Sequence, residues 1–221
     1  MRSCLPNDSR RVTPAFRTLA TEKVKVTEIQ NLLLPEEAQY LIGKAHEEGM
    51  HRSPAGLDRH IDPARTSSTA FLSKGKDDVV KCLENRISTV AGNSVENLEP
   101  LQVTQYKHKQ EYKPHYDYFR NEKKDFNQRS TTVFAYLHSK NLASGECGGA
   151  TAFPNVMNDD TGTPLRVYPK VGNAVMWSNL NKDGTVNENT LHGGERVVCS
   201  DAHKIGLNAW FRVRPWELSG Q

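Results

Sequence analysis

The sequence predicts a mainly β domain, a sandwich or jelly roll, with two helices laid on one face of it. Three observations carry this. Near the front, two windows place apolar residues at helical spacing: Ala38, Leu41, Ile42, Ala45, and then Val79, Val80, Leu83, Ile87, Val90. From about residue 101 onward, the apolar residues fall into short alternating runs separated by Gly, Pro and Asn. The chain has 221 residues, 36% hydrophobic and 25% charged, enough for one soluble globular domain with a core of its own.

Residues 1–24 are polar and aperiodic and read as a disordered tail, leaving 25–218 as a single domain. Val24, Val26 and Ile29 suggest a first strand. Pro35-Glu36-Glu37 opens the first helix, because proline suits the first turn and acids suit its positive end. Gly49 stops it. Residues 50–64 form a long polar stretch with two prolines, either a lid or an ordinary surface loop, with His51 and His60 solvated. Arg65-Thr66-Ser67-Ser68 leads into a strand ending at Leu72, and the second helix runs from about Asp77 to Ala91 before Gly92. Strands are expected at Leu101–Tyr106, Thr131–Leu137, Ala174–Trp177, Glu195–Cys199 and Ile205–Val213.

Composition excludes several classes. A net charge of +3 gives no case for nucleic acid. No apolar run approaches the roughly 18 residues of a membrane span. The start of the chain lacks the apolar core of a secretory signal, so the cytoplasm is the expected compartment. The alternative is the endoplasmic reticulum, if an N-terminal anchor is missing. Cys4, Cys82, Cys147 and Cys199 show no CxxC spacing; they neither demand a disulfide framework nor exclude one bridge.

The chemistry centres on Tyr112-Lys113-Pro114-His115-Tyr116-Asp117. On a strand, residues i and i+2 share a face, so His115 and Asp117 would present an imidazole beside a carboxylate. A second imidazole would complete a two-His, one-carboxylate set, which suits non-haem Fe(II). His192, in Leu191-His192-Gly193-Gly194, is the candidate, 75 residues on (192 − 117). The alternative for it is a satisfied buried histidine. The last strand puts Ile205, Leu207, Ala209 and Phe211 on one face and Lys204, Trp210 and Arg212 on the other. If that second face lines a cavity, the buried ammonium needs an anion. The sequence alone leaves open whether it meets solvent instead.

Taken together, these motifs resemble the prolyl 4-hydroxylase family of Fe(II)- and 2-oxoglutarate-dependent dioxygenases. They are His115-x-Asp117, Gly148-Gly149-x-Thr151-x-Phe153-Pro154, Pro169-x-x-Gly172-x-Ala174-Val175-x-Trp177, Leu191-His192, and Lys204 followed by Trp210. The resemblance covers roughly residues 27–216. It implies a double-stranded β-helix (jelly roll) with supporting N-terminal helices. It implies that His115, Asp117 and His192 bind Fe(II) and carry catalysis. Lys204 would pair with the distal carboxylate of 2-oxoglutarate, with Tyr106 and Thr151 hydrogen-bonding it. Tyr112, Arg129 and Trp210 match positions that hold a peptide substrate. The implied reaction hydroxylates peptidyl proline at C4, consuming O2 and giving succinate and CO2, with ascorbate as reductant. The alternative keeps the chemistry on a free amino acid or other small molecule. Expected partners are a proline-containing peptide and neither nucleic acid nor membrane, with the chain a monomer.

Two departures from the family pattern stand out. The lysine lies twelve residues after the second histidine (204 − 192) where ten is usual, with Val198-Cys199-Ser200-Asp201 in a longer turn. Arg212 stands where some members carry a histidine.

Overall fold

The computed structural model describes residues 1–55, 60–120 and 126–216. In chain order the elements are β1 (Ala15–Ala20), β2 (Val26–Gln30), α1 (Pro35–Glu48), β3 (His51–Arg52), β4 (Pro54–Ala55), β5 (His60–Ile61), β6 (Ser68–Leu72) and α2 (Asp78–Ala91). The second half is β: β7 (Leu101–Tyr106), β8 (Tyr112–His115), β9 (Arg129–Lys140), β10 (Thr151–Met157), β11 (Pro164–Val167), β12 (Ala174–Ser178), β13 (His192–Gly194) and β14 (His203–Arg212). An eight-stranded sheet of order β1-β2-β12-β9-β14-β7-β6-β3 faces a four-stranded sheet of order β11-β10-β13-β8. This is the expected jelly roll.

Both helices pack on the outer face of the large sheet. Leu41, Leu83 and Ile87 are fully buried there against Leu101, Leu207 and Phe211, each such side chain stabilising the fold by about 1.5–3 kcal/mol. The ends follow the sequence signals. The Asp77 carboxylate caps α2 by accepting from Val80 N at 2.9 Å. Gly92 ends it in the left-handed region at φ 66°. A second core, including Val26, Phe134, Phe153, Val175 and Trp177, fills the space between the sheets.

Strand β14 serves both layers. Ile205, Leu207, Ala209 and Phe211 face the helices, while Lys204 and Trp210 line the interior cleft and Arg212 is buried on their face. Period-2 alternation was therefore read correctly, and the polar face meets a cleft rather than solvent.

The structure departs from sequence expectation in four places. Residues 1–24, expected as a disordered tail, carry β1 and are tied to the helices. Cys4 is bridged to Cys82, its N–H donates to Glu37, and Arg86 donates to the Arg2 carbonyl. These partners lie 33 to 84 residues away, beyond the reach of local composition. A second bridge joins Cys147 to Cys199, so all four cysteines are paired. Residues 195–199 form no strand, only an isolated bridge of Val197 with Gly148: Glu195 and Val198 donate to the Ala150 and Cys147 carbonyls of one turn, and Val197 donates to the Gln110 carbonyl of another segment. The stretch read as a loop or lid holds β3, paired with β6, and β4, paired with β5. Its tip, residues 56–59, lies outside the described residues.

Candidate metal and anion site

Strands β8 and β13 pair in the small sheet with His115 directly opposite His192. That register brings the two rings to 4.4 Å between centroids. Asp117 lies two residues past the end of β8, in a bend rather than on the strand. Its carboxylate still reaches both rings, with Oδ1 3.7 Å from His115 Nε2 and Oδ2 3.6 Å from His192 Nε2. One ligand atom from each residue can be chosen so that all lie within 4.8 Å of one another. Among the described residues no other group of three His, Cys, Asp or Glu does this.

The rings are prepared for a cation. His115 Nδ1 lies 2.9 Å from the Lys113 carbonyl, and His192 Nδ1 lies 2.8 Å from the Thr190 carbonyl. A carbonyl only accepts, so each ring carries its proton on Nδ1 and turns the Nε2 lone pair inward. Burial, reinforced by His192 alongside, holds the His115 pKa down at about 3, keeping that imidazole neutral. Burial works against the Asp117 carboxylate, yet the two imidazoles, Arg129 and the Thr132 hydroxyl together hold it below its ordinary range. Two imidazoles with Nε2 turned inward and one carboxylate fit a divalent cation with open positions.

Across the same cleft stands Lys204, 1% exposed. Its ammonium donates to the Gly149 carbonyl at 2.6 Å and lies 4.9 Å from the Tyr106 ring. Burial lowers its pKa to about 8. No carboxylate pairs with it among the described residues. A buried cation of this kind calls for an anionic ligand. Tyr106 is its cross-strand partner on β7. Thr151, opposite Gly194 on β10, lines the cleft with its hydroxyl 2.9 Å from that of Tyr136. The cleft encloses about 410 Å³, solvent at its mouth included.

Of the residues expected to contact substrate, Tyr112 and Trp210 line this cleft. Tyr112 stacks on His115 at 3.5 Å, with the Arg65 guanidinium 4.7 Å from its ring. Arg129 is placed behind Trp210, 3.7 Å from its ring, and makes two bonds to Glu99 at 2.7 and 2.8 Å. Arg212 bonds the same carboxylate at 2.5 Å. Burial pushes Glu99 up, but the two guanidiniums hold it below the usual carboxylate range.

Several contributors were given no site role by the sequence reading, although Arg65 and Thr132 fell within stretches matching the family pattern. Arg65 and Asn208 line the cleft and meet at Gln102, donating to its carbonyl at 2.9 and 3.0 Å. Asn208 sits on the same face of β14 as Lys204 and Trp210, so the alternation could have flagged it. Gly206, between them, lets the Phe134 ring lie against the strand; a Cβ there would come within 2.2 Å of that ring. Nothing local marks Glu99.

Comparison with known proteins agrees with this geometry. A family model of the 2OG-Fe(II) oxygenase superfamily matches residues 101–212. The chain is 34% identical over 205 residues to probable prolyl 4-hydroxylase 10 of Arabidopsis thaliana, covering 85% of this chain and 68% of that one. Prolyl 4-hydroxylase 5 of the same plant is 33% identical over 208 residues, with the same coverage. Among solved structures, viral collagen prolyl hydroxylase from Paramecium Bursaria Chlorella virus-1, in complex with 2OG, superposes with a TM-score of 0.66. It is 24% identical, and the match covers 86% of this chain and 96% of that one. A prolyl hydroxylase from Trichoplax adhaerens, in complex with a hypoxia inducible factor peptide, gives 0.61 at 16% identity, covering 85% and 83%. Those two structures speak to the fold. The sequence match, spanning the triad, Lys204 and Trp210 alike, shows that the chain belongs to the prolyl 4-hydroxylase family of the 2OG-Fe(II) oxygenase superfamily.

Proposed function

We propose that this 2-oxoglutarate-dependent dioxygenase hydroxylates peptidyl proline at C4, with formation of succinate and CO2. One observation carries the reading: an ammonium buried without a carboxylate partner among the described residues shares a cleft with a two-His, one-carboxylate set. In this reading His115, Asp117 and His192 hold Fe(II). Lys204 pairs with the distal carboxylate of 2-oxoglutarate, helped by the Tyr106 and Thr151 hydroxyls. The bound iron supplies the oxidation, with O2 as oxidant and ascorbate as reductant. The protein orients the target C–H bond and keeps water from the site.

Tyr112 and Trp210 form the aromatic mouth, a surface suited to an extended proline segment, which is a low-entropy ligand. The indole Nε1–H of Trp210 is buried with no partner among the described residues, leaving a donor for the bound substrate. Arg129 acts indirectly, holding Trp210 by stacking while Glu99 holds Arg129. The two disulfides favour an oxidising compartment over the cytoplasm. No described helix is long and apolar enough to cross a membrane.

The test is 2-oxoglutarate turnover against a panel of proline peptides and free amino acids. Succinate formed in step with a one-oxygen mass gain on peptidyl proline supports the proposal. The same gain on a free amino acid alone would select the small-molecule alternative. Turnover without any hydroxylated product from the panel would overturn the substrate assignment.

A further inference from the structure

Asp117 is held from behind by a chain of three residues. Trp177 on β12 donates its indole N–H to Asn179 Oδ1 at 2.9 Å. Asn179 Nδ2 donates to Thr132 Oγ1 at 2.9 Å. The Thr132 hydroxyl, on β9 opposite Trp177, donates to Asp117 Oδ2 at 2.7 Å. Trp177, Asn179, Thr132 and Asp117 are all buried.

The direction of this chain is forced. An indole N–H can only donate, so the Asn179 amide must turn its oxygen toward Trp177 and its nitrogen toward Thr132. Thr132 has a single proton. With its oxygen accepting from Asn179, that proton points to Asp117. An ionised carboxylate only accepts, so the chain ends there.

We infer that Trp177, Asn179 and Thr132 form a one-way relay that ties down Asp117 Oδ2 and leaves this carboxylate one oxygen to offer a metal. The inference rests on the Fe(II)/2-oxoglutarate reading of the site. Three protein atoms must bind the ion if a chelating 2-oxo acid and O2 are to share the other positions of a six-coordinate metal. A carboxylate free to rotate and offer both oxygens would fill a position that the reaction needs. Trp177 also lies 4.6 Å from the His192 ring, so one core residue steadies two of the three ligands by separate means. These are positioning residues, and none is catalytic.

The test uses Co(II) titration of the full chain without peptide, so no turnover enters the readout. Thr132→Val keeps the side-chain shape and removes the donor. It should weaken Co(II) binding about 10- to 100-fold, as loss of a metal ligand's supporting contact does. Thr132→Ser should restore it. Asn179→Ala should weaken binding in the wild-type background and add nothing in Thr132→Val, because the relay is already cut. Independent packing effects would add instead. The infrared splitting between the two carboxylate stretches should narrow in Thr132→Val, reporting two-oxygen binding. If that variant does not fold, Trp177→Phe with and without Asn179→Ala gives the same non-additivity test. Wild-type Co(II) affinity in folded variants, or strictly additive losses, would overturn the relay. A wild-type chain that binds Co(II) but hydroxylates no proline peptide would remove the substrate assignment and leave the relay standing. A wild-type chain that binds no Co(II) would remove both.

Discussion

Replacing Lys204 with methionine keeps the buried stem and removes only the charge, so packing on β14 is preserved. In the structure the ammonium has one neutral acceptor, the Gly149 carbonyl, and no carboxylate among the described residues. On the proposed assignment the co-substrate's distal carboxylate would be its counter-ion, and a charge-assisted contact of this kind is worth about 1.5–3 kcal/mol. The apparent KM for 2-oxoglutarate should rise roughly 10- to 150-fold, while Co(II) affinity at the triad stays at the wild-type value. A pH series sharpens the test. Burial lowers the Lys204 pKa to about 8, and only the protonated form attracts a carboxylate. Wild-type affinity for 2-oxoglutarate should then be flat below pH 8 and fall about tenfold per unit above it. In Lys204→Met the same series should be flat. Succinate formation gives KM, and calorimetry with Co(II) in place of iron gives the affinity. An unchanged KM, or an alkaline fall that persists in the variant, would refute the argument. Loss of affinity in His203→Ala but not in Lys204→Met would assign the co-substrate contact to the wrong residue of β14.

Other outcomes follow from the same structure. His115→Ala, Asp117→Ala and His192→Ala should each abolish metal binding by titration and turnover by succinate release, because a set of three has no spare member. Glu99→Gln leaves Arg129 and Arg212 buried without their counter-ion, so it should cost about 3–5 kcal/mol in denaturant unfolding. It should also raise peptide KM more than 2-oxoglutarate KM, since Trp210 loses its support. Cys147→Ser with Cys199→Ser opens a bridge of sequence separation 52 and should lower stability by about 2–4 kcal/mol. Gly149, which takes the Lys204 bond, is two residues from that bridge, so 2-oxoglutarate KM should rise as well.

Where a pattern was local, the sequence was readable. The two helices, their glycine stops and the alternation of β14 appeared in the structure as expected because each depends on residues within one turn or one pleat. The triad was readable for a related reason: His115 and Asp117 are close in the chain, and His192 stands next to glycines that admit a close strand pairing. Gly193 has no room for a Cβ, which would meet the Tyr112 carbonyl at 2.8 Å. What stayed hidden depends on distant pairings. The N-terminal segment is held by Glu37, Cys82 and Arg86 rather than by any pattern of its own. Arg129 was assigned to the substrate by resemblance alone, and nothing near it in the chain announces its bond to Glu99, 30 residues earlier. Asp117 lies beyond its strand, so the same-face argument reached the right pair through geometry that the backbone does not adopt.

Gly206 bears on how such an enzyme can be lost. Any glycine codon becomes an alanine codon by one base change. At this position the new methyl would collide with Phe134, whose ring forms part of the cleft wall. The ring must move, and the open space beside it is the cleft proposed to take the co-substrate. The resulting protein would keep His115, Asp117, His192 and Lys204 in place, along with every helix and both sheets. A survey of homologues by their metal ligands and lysine would count it as active. In this family, then, silent descendants can arise without any damage to the recognised motifs, and the residue to inspect first is one that has no side chain.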